Sequence, residues 1–385
     1  MKKTKRLLSI LVALCLAAGI ASAAGIAAQA ADPAGYVAVS VDANVLGVGY
    51  LYEPGMVPFY AGESVADVTR RFAGEENVLG QDSALYGYYI EGFKLQRDIS
   101  VTFAGLPGPI HDEIDLWFDG DLDPGASHAG EFLKGDDYCE TFYAGWTFSV
   151  DDAFPSVGAG SLPPQDGEVI RWQFSMFMGA DLGNDYGPPY GFGYNIVEPE
   201  DRTALTLAVA QINSAADKAM LLGDTAVKAA YDAAYVALED LLADASDIAS
   251  ALASLNSALA ALAAARLAQA KTDAKAALDS YKDSADYRDA QKTELAGAIA
   301  AGKAAIDAAA DIAGVNAALS GAKTAMDAVK TDAQLTAEEP WWMSLRPAVQ
   351  FILRYLFFGW IWMVPARADW FCYYILFCWV KNFLN

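Results

Sequence analysis

Apolar and polar residues alternate in two short segments near the middle of the chain. The apolar positions are Trp146, Phe148 and Val150 in the first segment, and Ile170, Trp172 and Phe174 in the second. A period of two residues predicts strands with one buried face. Because Asp166-Gly167 is a turn signal just before the second segment, the two segments predict an antiparallel hairpin.

Further strands and one helix are predicted upstream of this hairpin. The strands are residues 36–41, 46–52 and 86–93, with more extended chain at residues 56–60. Ser64 and Asp67 have the spacing of a capping box, and Val65, Val68 and Phe72 recur on one helical face. Strands, one helix and then strands predict an α+β fold with a mixed sheet in a β-grasp-like arrangement.

The pattern changes after residue 200. Of the next 130 residues 45 are alanine and none is Trp, Phe or Pro, and apolar residues recur at helical spacing, which predicts an all-α region. Residues 245–249 return in similar form at 309–313, a shift of about 64 residues. We therefore predict two three-helix-bundle repeats, at residues 201–264 and 265–333, after a first domain at residues 31–200.

The N-terminus predicts secretion. Four basic residues precede an apolar run at residues 7–20, and small residues follow up to Ala30, as in a signal peptide covering residues 1–30. Its removal would leave 22 basic residues against 49 acidic ones, a formal charge of about −27. Because phosphate binding needs a basic surface, this charge argues against nucleic acid as a partner.

The last segment, residues 340–385, holds six of the nine tryptophans and is locally cationic. Its two apolar runs are interrupted or short for a bilayer-spanning helix. Dense Trp and Tyr flanked by Arg and Lys favour the membrane interface, and the alternative is a hydrophobic cap that docks on the helices or on a partner. The segment also resembles a tail that recurs on secreted Gram-positive proteins. We predict a secreted protein associated with the cell envelope.

Four short motifs of the first domain carry a family resemblance. They are residues 60–68, Tyr88-Tyr89-Ile90, residues 145–150 and Gly179-Ala180-Asp181-Leu182-Gly183. Together they resemble the transcobalamin-like C-terminal domain family over about residues 36–183. The resemblance implies a β-grasp-like fold and, by analogy with the vitamin carriers, a corrinoid-like ligand. Two features depart from the family pattern: Asp151-Asp152 replaces the usual Asn-Gly, and an acidic insertion occupies about residues 95–141.

The helical repeats resemble the FIVAR-type modules of Gram-positive surface proteins. That resemblance implies a spacer that carries the first domain, or a contact to glycans or matrix. The tyrosines that could stack on sugars are Tyr231, Tyr235, Tyr281 and Tyr287. Aromatic residues at helical spacing are more often core residues, so a role in the core is the alternative for all four.

Two groups of residues are candidate binding sites. For a flat ligand the candidates are the aromatic residues Tyr88, Trp146, Phe154 and Trp172, most of which must also serve the core. For Ca²⁺ the candidates are Asp119, Asp121 and Asp123, because carboxylates at alternate positions suit this ion. Pro124 and Gly130 stand where an EF-hand needs Gly and Glu, so a solvated acidic loop is the alternative. The His111 to His128 spacing matches no standard zinc motif.

Signals for catalysis are weak. The chain has two histidines, and we find no nucleophile elbow, no Cys-His pairing and no phosphate-binding glycine loop in the sequence. Three cysteines, Cys139, Cys372 and Cys378, follow the predicted signal peptide and give no disulfide framework. We expect a non-enzymatic binding protein with a small-molecule or glycan ligand. The alternative is an adhesin that contacts glycans or matrix through the helical repeats or the acidic insertion.

Overall fold

A computed structural model describes residues 32–339, apart from 85–86, 100, 119–130, 136–143, 186, 188–190 and 192. The predicted signal peptide, the aromatic tail, the Asp119–Asp123 segment and Cys139 lie outside the described residues, and Cys372 and Cys378 lie in that tail. The chain divides into two compact units, Met1–Ala264 and Ala265–Asn385, which are described separately below.

The first unit contains two sheets. The described strands are β1 (Gly35–Asp42), β2 (Tyr50–Phe59), β3 (Val78–Ser83), β4 (Gly87–Lys94), β5 (Phe132–Lys134), β6 (Gly145–Val150) and β7 (Val169–Ser175). The larger sheet has the order β2-β1-β7-β6, with β1 and β7 parallel and the other pairs antiparallel. The smaller sheet is antiparallel in the order β3-β4-β5. The mixed α+β class predicted for this part of the chain is confirmed.

The predicted hairpin forms from β6 and β7. Its apolar residues face each other across the ladder, with Trp146 opposite Phe174 and Phe148 opposite Trp172. The second predicted strand was placed wrongly, because Asn44–Leu46 forms a 3₁₀ turn that ends at Gly47 with φ of 70°. The strand begins instead at Tyr50 and includes the extended run predicted at residues 56–60. Prolines within it suit its position at the sheet edge.

Two helices of the first unit pack beside the strands. Helix α1 (Val65–Ala73) begins with the predicted capping box, in which Ser64 and Asp67 bond to each other's backbone N–H. Helix α2 (Gly108–Phe118) lies within the acidic insertion, and its Ile110 and Ile114 are buried in the same core as Val65 and Val68. Part of the insertion is therefore built into the domain core.

The region after residue 200 is helical, as predicted. The described helices are α3 (Thr203–Ser214), α4 (Lys218–Leu221), α5 (Thr225–Glu239), α6 (Ala245–Asp279), α7 (Asp289–Ala308), α8 (Ile312–Asp327) and α9 (Asp332–Glu338). Helix α6 is continuous across the predicted junction of the two repeats. In the second unit, the buried core of the helical part includes Leu278, Tyr287, Leu295, Ile306 and Met326.

Helix α3 covers the face of the larger sheet that α1 leaves open. Ala210 packs on Ala38 and Val169, and Ser214 Oγ accepts a hydrogen bond of 2.8 Å from the Met56 backbone N–H on the edge strand. Covering an edge strand in this way removes unpaired backbone groups from solvent. Both faces of the larger sheet are therefore buried, and every residue of β7 is buried, including Arg171, Gln173 and Ser175.

Among the described residues, one helical stretch, Ala245–Asp286, which comprises α6 and the turn residues after it, is long and apolar enough to cross a membrane by length and composition alone. Its large apolar residues serve helical cores: Ile248 and Leu255 lie in the core of the first unit, and Leu278 lies in that of the second. Much of its remaining length is alanine.

Candidate functional site

Two of the four aromatic ligand candidates are core residues in the structure. Trp146 and Trp172 are 7% and 3% exposed, and both rings pack edge-on against Phe93, at centroid distances of 4.8 and 5.6 Å. Their indole N–H groups are satisfied internally, by Leu133 O and by Thr69 Oγ1, each at 2.8 Å. Both rings therefore pack in the core and offer little surface to a ligand.

Tyr88 and Phe154 are each half-buried and lie in different surroundings. The guanidinium of Arg70 sits 4.4 Å from the Tyr88 ring centroid, a cation–π contact that occupies one ring face. Phe154 lines a cleft between the β6–β7 connection and the segment that leads into α3. Tyr88 and Phe154 are the two candidates that keep some exposure for a ligand.

The cleft is small. The residues that line it are Asp152, Phe154, Arg171, Gln173, Asp181, Leu182, Val197, Glu198, Pro199, Glu200, Arg202 and Leu241. Its volume of about 40 Å³ has room for a few water molecules. Small-molecule sites usually enclose roughly 300–1,000 Å³, so a corrinoid does not fit inside this cleft.

The turn after β6 explains one departure from the family pattern. Asp151 and Asp152 have φ values of 50° and 57°, the left-handed conformation for which Asn-Gly is preferred in tight hairpin turns. The Asp152 carboxylate accepts hydrogen bonds from Arg171 Nη1 at 2.6 Å, from the Arg202 backbone N–H and from Thr203 Oγ1 at 3.2 Å. In the usual family pattern a glycine at this position only allows the chain to turn. Here the Asp152 side chain also connects the hairpin to the start of α3.

Asp152 belongs to a buried charge cluster that sequence reasoning missed. Arg171 is 5% exposed and Asp42 is 1% exposed, and their charged groups lie 3.7 Å apart. Burial raises the pKa of Asp42 against the opposing effect of Arg171. Burial would lower the pKa of Arg171, but Asp152 and Asp42 outweigh it and raise the pKa. The cluster holds an arginine charged inside the protein.

Several polar atoms near this cluster have no hydrogen-bond partner among the described residues. These buried atoms are Ser40 Oγ, Asp42 Oδ2, Asn44 Oδ1, Tyr50 OH, Arg171 Nε and Thr206 Oγ1. A buried polar atom without a partner costs about 1–3 kcal/mol unless water reaches it. The sequence does show polar residues at alternate positions of β1 and β7. The alternation rule assigns such a face to solvent, so the sequence did not predict that these residues form a buried cluster.

Asp181, from the Gly-Ala-Asp-Leu-Gly motif, lines the same cleft and is fully buried. Its carboxylate accepts hydrogen bonds from Ser175 Oγ at 2.5 Å and from the Met176 backbone N–H at 2.6 Å. Burial outweighs these hydrogen bonds and raises its pKa to about 6. The motif therefore fixes the turn after β7.

The Ca²⁺ candidates Asp119, Asp121 and Asp123 lie outside the described residues. Within the part of the chain that the structure describes, no group of three or more His, Cys, Asp or Glu residues is arranged to hold a metal ion. His111 stacks on Phe103 with ring centroids 4.0 Å apart.

Comparison with family models adds one finding. Residues 133–176 match a domain of unknown function, DUF4430, which is the transcobalamin-like family. The segment is therefore similar to that family. It includes the whole β6–β7 hairpin and the Asp151-Asp152 turn, so the match falls on the hairpin that the cleft and the charge cluster adjoin. A comparison with curated proteins gives no match.

Proposed function

We propose that the chain is a secreted, non-enzymatic binding protein of the cell envelope, built around a transcobalamin-like module. The observation that carries this proposal is the family match on β6 and β7, the two strands whose alternating residues form the aromatic core. The predicted signal peptide and aromatic tail support secretion and envelope association.

A β-grasp topology for this module is supported by the strand order. The β1–β2 hairpin, the crossing helix α1 and the parallel β1–β7 pair in the centre of the sheet are the features that such an arrangement requires. Helices α3, α5 and the first part of α6 support the proposal of a three-helix repeat of the FIVAR type in residues 201–264. Since α3 covers the sheet, we assign this first repeat to the binding module, and the second repeat, residues 265–333, to the spacer.

A corrinoid-like molecule is the first ligand class to test, because the resemblance to the transcobalamin-like vitamin carriers implies it. Tyr88 and Phe154 are the candidates with exposed ring area, whereas Trp146 and Trp172 serve the core. The cleft beside Phe154 is too small to enclose a corrin ring, so such a ligand would bind on the outer surface of the loops.

The experiment is a titration of the mature chain, residues 31–385, with cobalamin, measured by equilibrium dialysis. We expect saturable binding that Phe154→Ala or Tyr88→Ala weakens, while Tyr36→Ala, a control at another exposed tyrosine, leaves it unchanged. A flat titration to millimolar cobalamin would remove the corrinoid proposal. Membrane partitioning of the protein with and without residues 340–385 tests the envelope association separately.

The adhesin alternative depends on where exposed aromatic residues lie. Tyr231 and Tyr287 are 8% and 4% exposed and belong to helical cores, which favours the core interpretation of the repeat tyrosines. The acidic insertion, by contrast, exposes Leu116 and Trp117. A glycan array with the mature chain tests this alternative. If no glycan binds, the result favours the interpretation of the second repeat as a spacer.

A further inference from the structure

The turn after β7 is organised around one carboxylate. Asp181 accepts hydrogen bonds from Ser175 Oγ and from the Met176 backbone N–H, at 2.5 and 2.6 Å. Ser175 Oγ in turn accepts a hydrogen bond of 2.7 Å from the Gly179 backbone N–H. We call residues 175–183 the Asp181 turn. Because both ends of the turn bond to this pair of side chains, its closed form depends on the Asp181 carboxyl group.

The Asp181 turn also holds the segment that leads into α3, residues 196–202, which we call the entry segment. The Ile196 backbone N–H donates to Ala180 O at 2.8 Å. Gly183 and Pro199 are in close contact, since a Cβ on Gly183 would lie 2.7 Å from Pro199 Cβ. A change in the Asp181 turn therefore acts directly on the chain that enters α3.

The Asp181 carboxyl group is buried among neutral partners. It is fully buried, and the donors that bond to it are a hydroxyl and backbone N–H groups. Moving a carboxylate from water into a protein interior disfavours its charged form. Burial raises the pKa of Asp181 to about 6 in spite of these hydrogen bonds. The group therefore keeps its proton in mild acid and releases it toward neutral pH.

Charged groups from three elements line the same cleft as Asp181. They are Asp152 on the β6–β7 turn, Arg171 on β7, and Glu198, Glu200 and Arg202 on the entry segment. Arg171 Nη1 donates to Asp152 at 2.6 Å, and Arg202 Nη2 donates to Asp240 O at 2.6 Å. Both cations are thus engaged by other groups. An ionised Asp181 adds a fourth carboxylate to the cleft.

We propose that the Asp181 turn and the entry segment form a pH-sensitive clasp, which tightens in mild acid and loosens toward neutral pH. With its proton, Asp181 fits a buried turn. Without it, the carboxylate gains hydration when the turn opens, and opening releases Ile196 and Pro199. Phe154 lines the same cleft, so the clasp borders one of the candidate ligand contacts. The clasp does not depend on which ligand the protein binds.

The size of the effect follows from the two protonation equilibria. In the open turn Asp181 has its ordinary pKa of 3.8, and in the closed turn its pKa is about 6. Opening therefore becomes more frequent as pH rises between these values and is constant above about pH 6. From about pH 5 to about pH 7 the opening equilibrium should rise roughly tenfold.

The test is hydrogen exchange of the mature chain, read by mass spectrometry between about pH 4 and pH 8 and corrected for the intrinsic exchange rate. We expect the tenfold rise in residues 175–183 and 196–202, with no further rise above about pH 7. Helix α1 is the internal control: against burial, the hydrogen bonds from Ser64 lower the pKa of Asp67, so this helix does not titrate in that range. An equal rise in α1 would mean global unfolding and would overturn the proposal, as would a rise that continues to pH 8.

Two variants assign the effect to the carboxyl group. Asp181→Asn keeps the shape of the side chain and does not titrate, so the ratio of opening between about pH 7 and pH 5 should fall to about one. Ser175→Ala removes a hydrogen bond but keeps the carboxyl group, so it should open more often and retain the pH dependence. A pH dependence that survives in Asp181→Asn would show that another group titrates. If Asp181→Asn does not fold, the wild-type profile still decides, because only a group with a pKa near 6 makes it level off there.

Discussion

Asp152 joins the hairpin to the start of α3, and it does so from a left-handed backbone position that usually carries glycine. Its neighbour Asp151 has the same left-handed backbone, but the Asp151 carboxylate bonds to the Val169 N–H, within the hairpin itself. The two aspartates therefore share conformation and differ in role. That difference allows the charge cluster to be tested without changing the turn.

We expect Asp152→Asn to lower the free energy of unfolding by about 2–4 kcal/mol, because Arg171 would keep a buried charge without its nearest carboxylate. Asp151→Asn is the matched control and should stay within about 0.5 kcal/mol, since Asn tolerates the same φ and can still accept from the Val169 N–H. Urea unfolding at neutral pH measures both. Equal effects of the two substitutions would contradict a special role for Asp152.

Asp181 predicts a pH dependence at the same scale. Its pKa of about 6 in the folded protein lies above the ordinary value of 3.8, so the folded state binds more protons between these values. Stability from this group is therefore lost as pH rises from about 4 to 6, by up to about 3 kcal/mol. The neutral variant Asp181→Asn lacks this loss. Unfolding free energies of both proteins at pH 4 to 7 should converge or cross, and parallel curves would be inconsistent with a raised pKa.

At the scale of elements, the hairpin, α1 and the helical region follow from the sequence because their signals are local. Alternation, a capping box and alanine content each act within a few residues. The start of β2 could not be predicted in this way, since Gly47 ends a turn that apolar residues on either side conceal. The hydrophobic pattern also does not predict how closely two helices approach each other. Two glycines of α7, one tightly packed and one open to solvent, illustrate this limit.

A pair of glycines in α7 gives a prediction for the second unit. A Cβ on Gly302 would collide with Ala322 and lie 3.0 Å from Leu278 Cδ1, whereas a Cβ on Gly297 would meet open space. Gly302→Ala should therefore destabilise the protein by about 1–3 kcal/mol. Gly297→Ala should stabilise it by roughly 0.5–1 kcal/mol through helix propensity. Thermal unfolding reports both, and stabilisation by both substitutions would mean that α7 and α8 are not closely packed at Gly302.

At the scale of the whole molecule, the first compact unit extends to Ala264 and not only through the sheet-containing part. Helix α3 buries a sheet face that carries Asp42, Arg171 and Gln173. Without that helix these polar groups would meet solvent, but so would Ala38 and Val169, together with the edge strand.

We expect the fragment of residues 31–264 to unfold cooperatively, and the shorter fragment of residues 31–200 to be unfolded or aggregated. The reason is that the shorter fragment loses α3 and α5, which supply most of the helical core around Tyr50. Circular dichroism melts and size-exclusion chromatography distinguish the two fragments. A cooperative melt of the shorter fragment at the temperature of the longer one would show that the helices add nothing to the module.

The candidate sites divide in the same way as the fold. The sequence indicated that Trp146 and Trp172 are strand residues on a buried face. It did not indicate that Phe93 would pack on the Trp146 ring or that Thr69 would accept the hydrogen bond of the Trp172 indole N–H. Contacts between distant segments leave no periodic trace in a single chain.

By itself the sequence determined the strands of the hairpin, the helical second half and the transcobalamin-like segment, because each depends on neighbouring residues. Only the tertiary structure decided that the polar face of the larger sheet is buried. Alternation records which residues share a face, and it cannot record whether water or another element covers that face. Here α3 covers it, which turns Arg171 and Asp42 from expected surface residues into a buried charge cluster.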